Sequence, residues 1–205
     1  MAGITHHLDH NLLDGIFGLL SSQCSASNRI IGPQRMPSQH LMDFATFASD
    51  AMTPRDPAPV HLWDPPYCGD LDIVIRRDGS WFHEGRPIRR RGLVQLFSSI
   101  LKKEDNRYYL VTPVEKVGIT VEDCPFIIVE MDVSKTNGVQ VLTFSTNTDE
   151  QISADSFHRL SVGHTDGVGS PHPEIHVRNG LYGLLSRAVF YRLCELSVEH
   201  QYKQT

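Results

Sequence analysis

The feature that most constrains this chain is an internal echo. An 88-residue shift carries Asp78-Gly79 onto Asp166-Gly167 and Gly92-Leu93 onto Gly180-Leu181. At the same shift Val74, Arg90, Leu96 and Ser98 meet Val162, Arg178, Leu184 and Ser186. Composition alone gives about one or two identities over such a window, so equal separation of several motifs argues for a repeated unit. Each motif is common by itself, Asp-Gly as a turn and Gly-Leu-x-x-Leu as a helix start. Each copy reads as strand, turn, strand and helix, and the expected fold is a duplicated α+β core.

The local signals agree with this. Ile73-Val74-Ile75 reads as a strand, Asp78-Gly79 as a tight turn and Ser80 to His83 as the returning strand. Leu93, Leu96, Phe97, Ile100 and Leu101 fall at helical spacing, with Lys102 to Asp105 closing the segment. Strands follow over Tyr108–Val111, Val117–Val121, Phe126–Val133 and Val139–Thr146, the last two joined at Asn137-Gly138. Short strands at Leu160–Val162 and Ile175–Val177 precede a helix carried by Leu181, Leu184, Leu185, Ala188, Val189, Leu193 and Leu196.

Prolines crowd the stretch from Pro54 to Pro66 and disfavour helix there, so the start of the folded core is placed there. Residues 1–56 are expected to be a poorly structured extension, 57–112 the first repeat and 113–200 the second. Met36, Met42 and Met52 are alternative starts. The apolar run Leu12–Leu20 is broken by Asp14, Gly15 and Gly18 and preceded by His6, His7, Asp9 and His10 rather than by Lys or Arg. It is therefore expected to be neither a membrane span nor a secretory signal.

A net charge of -5 argues against a nucleic-acid surface. Cys24, Cys68, Cys124 and Cys194 form no CxxC pair, which fits a reducing, cytoplasmic setting. Hydrolase, zinc-protease and nucleotide-loop signatures are missing, so no catalytic residue is assigned and an enzyme is the less favoured reading. His164, His172 and His176 match no metal motif, and they read as loop and strand histidines with no metal site expected. The glycine-rich run Gly163–Ser170 reads as a hairpin loop. Asp70 and Asp72 fit an acid/base pair or the solvated face of an edge strand.

The polar corner Thr112-Pro113-Val114-Glu115-Lys116 lies between two apolar strands. It fits an internal ion pair, or a ligand site where Lys116, with Arg90 or Arg178, faces phosphate oxygens and Trp81 or Tyr109 offers a stacking face. Arg90 and Arg178 are exchanged by the 88-residue shift. The arginine run Arg86 to Arg91 opposes the dipole of the helix it precedes. It fits a ligand-facing edge or long side chains covering apolar surface. A hydrolase or transferase using Glu115 or Asp72 as general base, and an interaction module without a small ligand, are the competing readings.

Pro66-Tyr67-Cys68-Gly69-Asp70-Leu71-Asp72, Arg77 to Phe82, Tyr108 to Val117, Val121 to Phe126 and Ile175 to Leu181 together resemble the proteobacterial domain-of-unknown-function family 1285. The resemblance covers Pro57 to about Ser197. It implies a duplicated α+β core whose C-terminal part is similar to pleckstrin-homology-like folds. It also implies a ligand cleft between the halves for a nucleotide-based molecule and a link to signal transduction, with a signalling protein as a possible partner. The cofactor is unknown. The loop His164–Pro173 is particular to this chain.

Overall fold

The computed structural model describes residues 57–165 and 169–197. The expected leader with its alternative starts, and Asp166-Gly167, lie outside the described residues. A short 3-10 turn at Val60–Leu62 precedes six strands and a helix: β1 (Tyr67–Ile75), β2 (Trp81–His83), β3 (Arg86–Pro87), α1 (Arg91–Ser99), β4 (Leu101–Glu104), β5 (Arg107–Val111) and β6 (Lys116–Val121). Six more strands follow: β7 (Phe126–Thr136), β8 (Val139–Thr146), β9 (Gln151–Ser153), β10 (Leu160–Thr165), β11 (Ser170–Arg178) and β12 (Leu181–Leu185). Helix α2 (Arg187–Leu196) comes last.

The first sheet runs β3-β2-β1-β6-β5-β4 and the second β10-β11-β12-β7-β8-β9. Read from its other edge, the second sheet has the order of the first, with β7 in the place of β1 and β12 in the place of β6. The two central pairs, β1 with β6 and β7 with β12, are parallel, while the other neighbours are antiparallel. The core is thus duplicated, and the copies are Tyr67–Val121 and Phe126–Leu185. The sheets divide between Val121 and Phe126, where the sequence reading divides at 112.

The 88-residue register does not survive. It places Leu93 and Leu96 of α1 on Leu181 and Leu184 of β12, a helix on a strand. The expected helix from Leu181 begins only at Arg187, where the Ser186 hydroxyl accepts from the Val189 N–H. Leu181, Gly183 and Leu185 alternate inward, as a strand requires. A short leucine run satisfies both periodicities, and pairing beside β7 decides between them. Helix α1 ends at Ser99, so Lys102 and Glu104 lie in β4 rather than on a helix end.

The tight turns follow their sequence. Asn137 and Gly138 both take positive φ, 53° and 82°, as a two-residue hairpin turn demands. Gly79, at φ 77°, meets the second half: a Cβ there would lie 2.6 Å from Asn147 Nδ2. Asn147 donates from that nitrogen to the Gly79 carbonyl (3.2 Å), and its Oδ1 accepts from the Ile127 N–H (3.1 Å). One apolar core serves both sheets, with Ile73, Ile75, Phe97 and Leu101 meeting Phe126, Ile128, Phe144 and Ile175.

Candidate functional site

The polar corner builds part of what the sequence suggests. The Glu115 N–H donates to Thr112 Oγ1 (3.2 Å) and the Thr112 N–H to the Glu115 carbonyl (2.9 Å), fixing where β6 begins. Lys116 then lies 5.2 Å from the Tyr109 ring centroid. Its ammonium is held by Glu104 at 2.8 Å, and the same carboxylate holds Lys102 at 3.0 Å. Glu104 belongs to β4, across the hairpin that β4 makes with β5. Lys116 therefore pairs with Glu104, a carboxylate from outside the corner.

Beside it, Asp70 accepts from Arg107 Nη2 (2.7 Å) and the Tyr67 hydroxyl (2.8 Å). Gly118 leaves room for that carboxylate, since a Cβ there would stand 2.0 Å from Asp70 Oδ1. Arg107 spans the Tyr67 and Tyr109 rings at 5.6 and 5.4 Å. This face thus holds rings and cations whose charges are already answered by carboxylates.

Hydrogen bonds from Lys116 and then Lys102 hold Glu104 below the usual glutamate range. A depressed carboxylate contributes stability above its unfolded value, near 4.5, and loses it as pH falls through the folded value. Glu104→Gln is expected to cost about 1 kcal/mol at neutral pH and to remove that part of the acid-side loss. Urea midpoints at pH 7 and pH 3.5 check both; equal deficits at the two pH values would refute it.

The remaining expected site residues lie elsewhere. Trp81 is 2% exposed and stacks on Phe97 at 6.1 Å, so it is core rather than a ligand platform, and its Nε1 has no partner. Arg90 is the exposed N-cap of α1 and makes no side-chain cap. Its neighbour Arg91 pairs with Asp149, which also accepts from Gln95 Nε2 at 2.6 Å.

Arg178 ends β11 just past a register shift, still paired with Leu181, and its side chain is largely buried. Its Nη2 donates to the Ser98 carbonyl at 2.6 Å, Nη1 stands 3.5 Å from Glu150, and the guanidinium lies 5.1 Å over the Phe126 ring. Burial lowers the Arg178 pKa and raises that of Glu150. Arg178 joins the two halves. The structure therefore brings together Thr112, Glu115, Lys116 and Tyr109, but not Trp81, Arg90 or Arg178.

An open groove of about 480 Å3 lies on the second half and had no place in the sequence reading. β11 turns Pro173, Ile175 and Val177 inward and His172, Glu174 and His176 outward. Tyr182 of β12 stands across from His176, ring edge to ring face at 5.3 Å. The loop between β9 and β10 forms the other wall. There Asp155 Oδ1 accepts from the Phe157 and His158 N–H groups at 2.8 and 2.7 Å, which leaves Phe157 80% exposed beside Arg159.

His176 is fixed in this wall. The Gly180 N–H donates to its Nε2 (3.2 Å), so Nδ1 carries the proton and donates to the Phe157 carbonyl (2.9 Å). The alternation of His172, Glu174 and His176 is the signal that could have marked this face, but the expected strand covered only Ile175–Val177 while β11 starts at Ser170. Nothing periodic marked Phe157 or Arg159.

Two family models match end to end: "Domain of unknown function (DUF1285), N-terminal domain" over residues 58–124, and "Protein of unknown function (DUF1285), C-terminal domain" over 125–205. The chain belongs to the DUF1285 family. The crystal structure of a DUF1285 family protein from Silicibacter pomeroyi DSS-3 is 48% identical, with TM-score 0.68, over 74% of this chain and 83% of that one. A second DUF1285 family protein, from Shewanella baltica OS155, is 29% identical with TM-score 0.49, over 61% of this chain and 91% of that one. No curated protein matches. The two DUF1285 models meet between Cys124 and Pro125, in the same linker that divides the two sheets. Among the described residues no helix is long and apolar enough to cross a membrane.

Proposed function

We propose that this DUF1285 chain is a binding module for a small phosphate-bearing ligand with a planar ring, a nucleotide-based molecule, seated in the groove of the second half. The observation that carries this is that the exposed Phe157 ring and Arg159 line, together with the His176–Tyr182 pair, one groove of about 480 Å3. Aromatic faces take a base by stacking, and a guanidinium takes phosphate oxygens in a bidentate fork. The Ser156 and Ser161 hydroxyls line the same wall and suit sugar or phosphate oxygens.

The seat moves away from Lys116 and Arg178 for a physical reason. Displacing Glu104 or Glu150 from those cations costs the ligand much of what a phosphate contact returns. A cytoplasmic signalling role follows from such a ligand. The pleckstrin-homology-like character of the second half belongs to the same proposal; helix α2 follows β12 and packs on β7.

Thermal unfolding of the full chain against nucleotides and nucleotide second messengers tests this. A ligand at 100 times its dissociation constant adds about 2.7 kcal/mol of stability. One member of the panel is expected to stabilise the chain, and Arg159→Ala and Phe157→Ala each to weaken it about tenfold or more, a loss of roughly 1–3 kcal/mol per stacked ring. A flat panel refutes the reading. Stabilisation that survives both changes but disappears in Lys116→Ala or Arg178→Ala returns the ligand to the seam between the halves.

A further inference from the structure

Beyond that groove, the linker between the two sheets brings a second set of groups to β11. Asp123 and Cys124 precede β7, and His172 reaches them from the outward face of β11. His172 Nε2 lies 2.9 Å from Asp123 Oδ1. One ligand-capable atom from each of Asp123, Cys124 and His172 falls within 4.8 Å of the other two. Glu174, one outward position further along β11, places Oε2 3.9 Å from Cys124 Sγ and 3.9 Å from His172 Nδ1.

Two readings of a Cys-His-Asp cluster compete. In a nucleophilic triad the imidazole must bond the thiol and draw off its proton. Here both imidazole nitrogens face carboxylates, Asp123 on one side and Glu174 on the other, and the thiol is directed at Glu174. The arrangement does not activate the sulfur for attack.

A cation in the middle answers what the triad reading cannot. Tetrahedral zinc holds sulfur at about 2.3 Å and nitrogen or oxygen at about 2.0–2.2 Å, so its ligand atoms stand roughly 3.3–3.8 Å apart. The observed separations, 2.9 Å between Asp123 and His172 and none above 4.8 Å, bracket this range. A thiolate, an imidazole and a carboxylate together select a borderline-soft metal over magnesium or calcium. Cys124 is 5% exposed, while the His172 and Asp123 side chains are 19% and 21% exposed, so the cluster has a closed floor and one open side.

We infer that Cys124 Sγ, His172 Nε2 and the Asp123 carboxylate form a zinc site at the junction of the two halves, its fourth position open to water. Glu174 takes no metal bond. It faces His172 Nδ1–H and orients the ring, the arrangement by which a carboxylate fixes the tautomer of a metal-binding imidazole. The site ties the linker to β11, so its occupation fastens the entry to the second sheet.

Cobalt titration of the metal-free full chain tests this, because a thiolate bound to Co2+ gives a near-ultraviolet charge-transfer absorption that histidines elsewhere in the chain cannot supply. The wild-type chain is expected to show the band, to lose it on adding zinc, and to unfold at higher temperature with zinc bound. Cys124→Ser is expected to lack the band. His172→Ala and Asp123→Asn are expected to weaken zinc at least tenfold, and Glu174→Gln to keep the band with zinc about tenfold weaker. Absence of the band from the wild-type chain, its survival in Cys124→Ser, or unchanged zinc affinity in His172→Ala overturns the assignment.

Discussion

Replacing Arg178 with alanine is expected to lower stability by about 3–5 kcal/mol, because it leaves the half-buried Glu150 carboxylate and the Ser98 carbonyl without the guanidinium that faces both. The urea midpoint should fall with little change in slope. The pH dependence has a definite sign. Burial raises the folded pKa of Glu150, so its contribution is full below the unfolded value near 4.5 and is lost as pH rises through the folded value. Arg178 is the first opposing charge, and without it that loss deepens. The deficit of Arg178→Ala should therefore be largest at neutral pH and shrink near pH 4. Arg178→Met combined with Glu150→Leu is expected to recover most of it, since the cost lies in breaking the pair rather than in lacking it. A single-variant loss below 1 kcal/mol, or a deficit that grows on acidification, would sink this account.

Phe126→Ala is expected to cost a similar 3–5 kcal/mol, the usual range for emptying a buried aromatic position. Phe126 is fully buried, opens β7, and sits opposite Gly183 in the parallel pair at the centre of the second sheet. Its ring also lies beneath the Arg178 guanidinium, a contact that adds about 1–2 kcal/mol when shielded from water. The two effects are thus coupled. In a double-mutant cycle the combined loss should fall short of the sum by at least 0.5 kcal/mol. Strict additivity would mean that the guanidinium and the ring act independently across the seam.

How much of this was legible depended on the range over which each signal acts. Asp78-Gly79 and Asn137-Gly138 announce their turns because positive φ is a property of the residue itself, and the flanking strands follow by alternation. The Leu181 to Leu185 run was misread because its periodicity suits helix and strand alike, and only the neighbouring β7 resolves it. The duplication was real but was seen through the wrong residues. Its equivalence lies in strand order and in a parallel central pair, which pairing across each sheet preserves while side chains diverge.

The candidate sites divide in the same way. Thr112, Glu115 and Lys116 were readable as a corner because their bonds are local. Glu104, the carboxylate that claims Lys116, comes from an edge strand that the sequence reading had ended as a helix. Trp81 fits a stacking surface or a core equally well until Phe97 covers it. Phe157 and Cys124 act only through partners that tertiary structure brings, which no spacing in the chain foretells.

The strand order has a consequence for curvature. In each half the chain leaves one edge of its sheet and re-enters at the opposite edge. Six strands laid flat put those edges about 24 Å apart at roughly 4.8 Å per strand. Between β9 and β10 only Ala154 to Arg159 intervene, and Asp155 folds them into a turn rather than an extended span. A segment of that length reaches such a distance only when fully stretched, at about 3.3–3.6 Å per residue. The second sheet must therefore roll until its two margins approach, as a barrel does before it closes. In the first half, α1 bridges the margins with a rod of about 13 Å, at 1.5 Å per residue. Strands that curl toward each other in this way present no flat margin on which a foreign strand can lie.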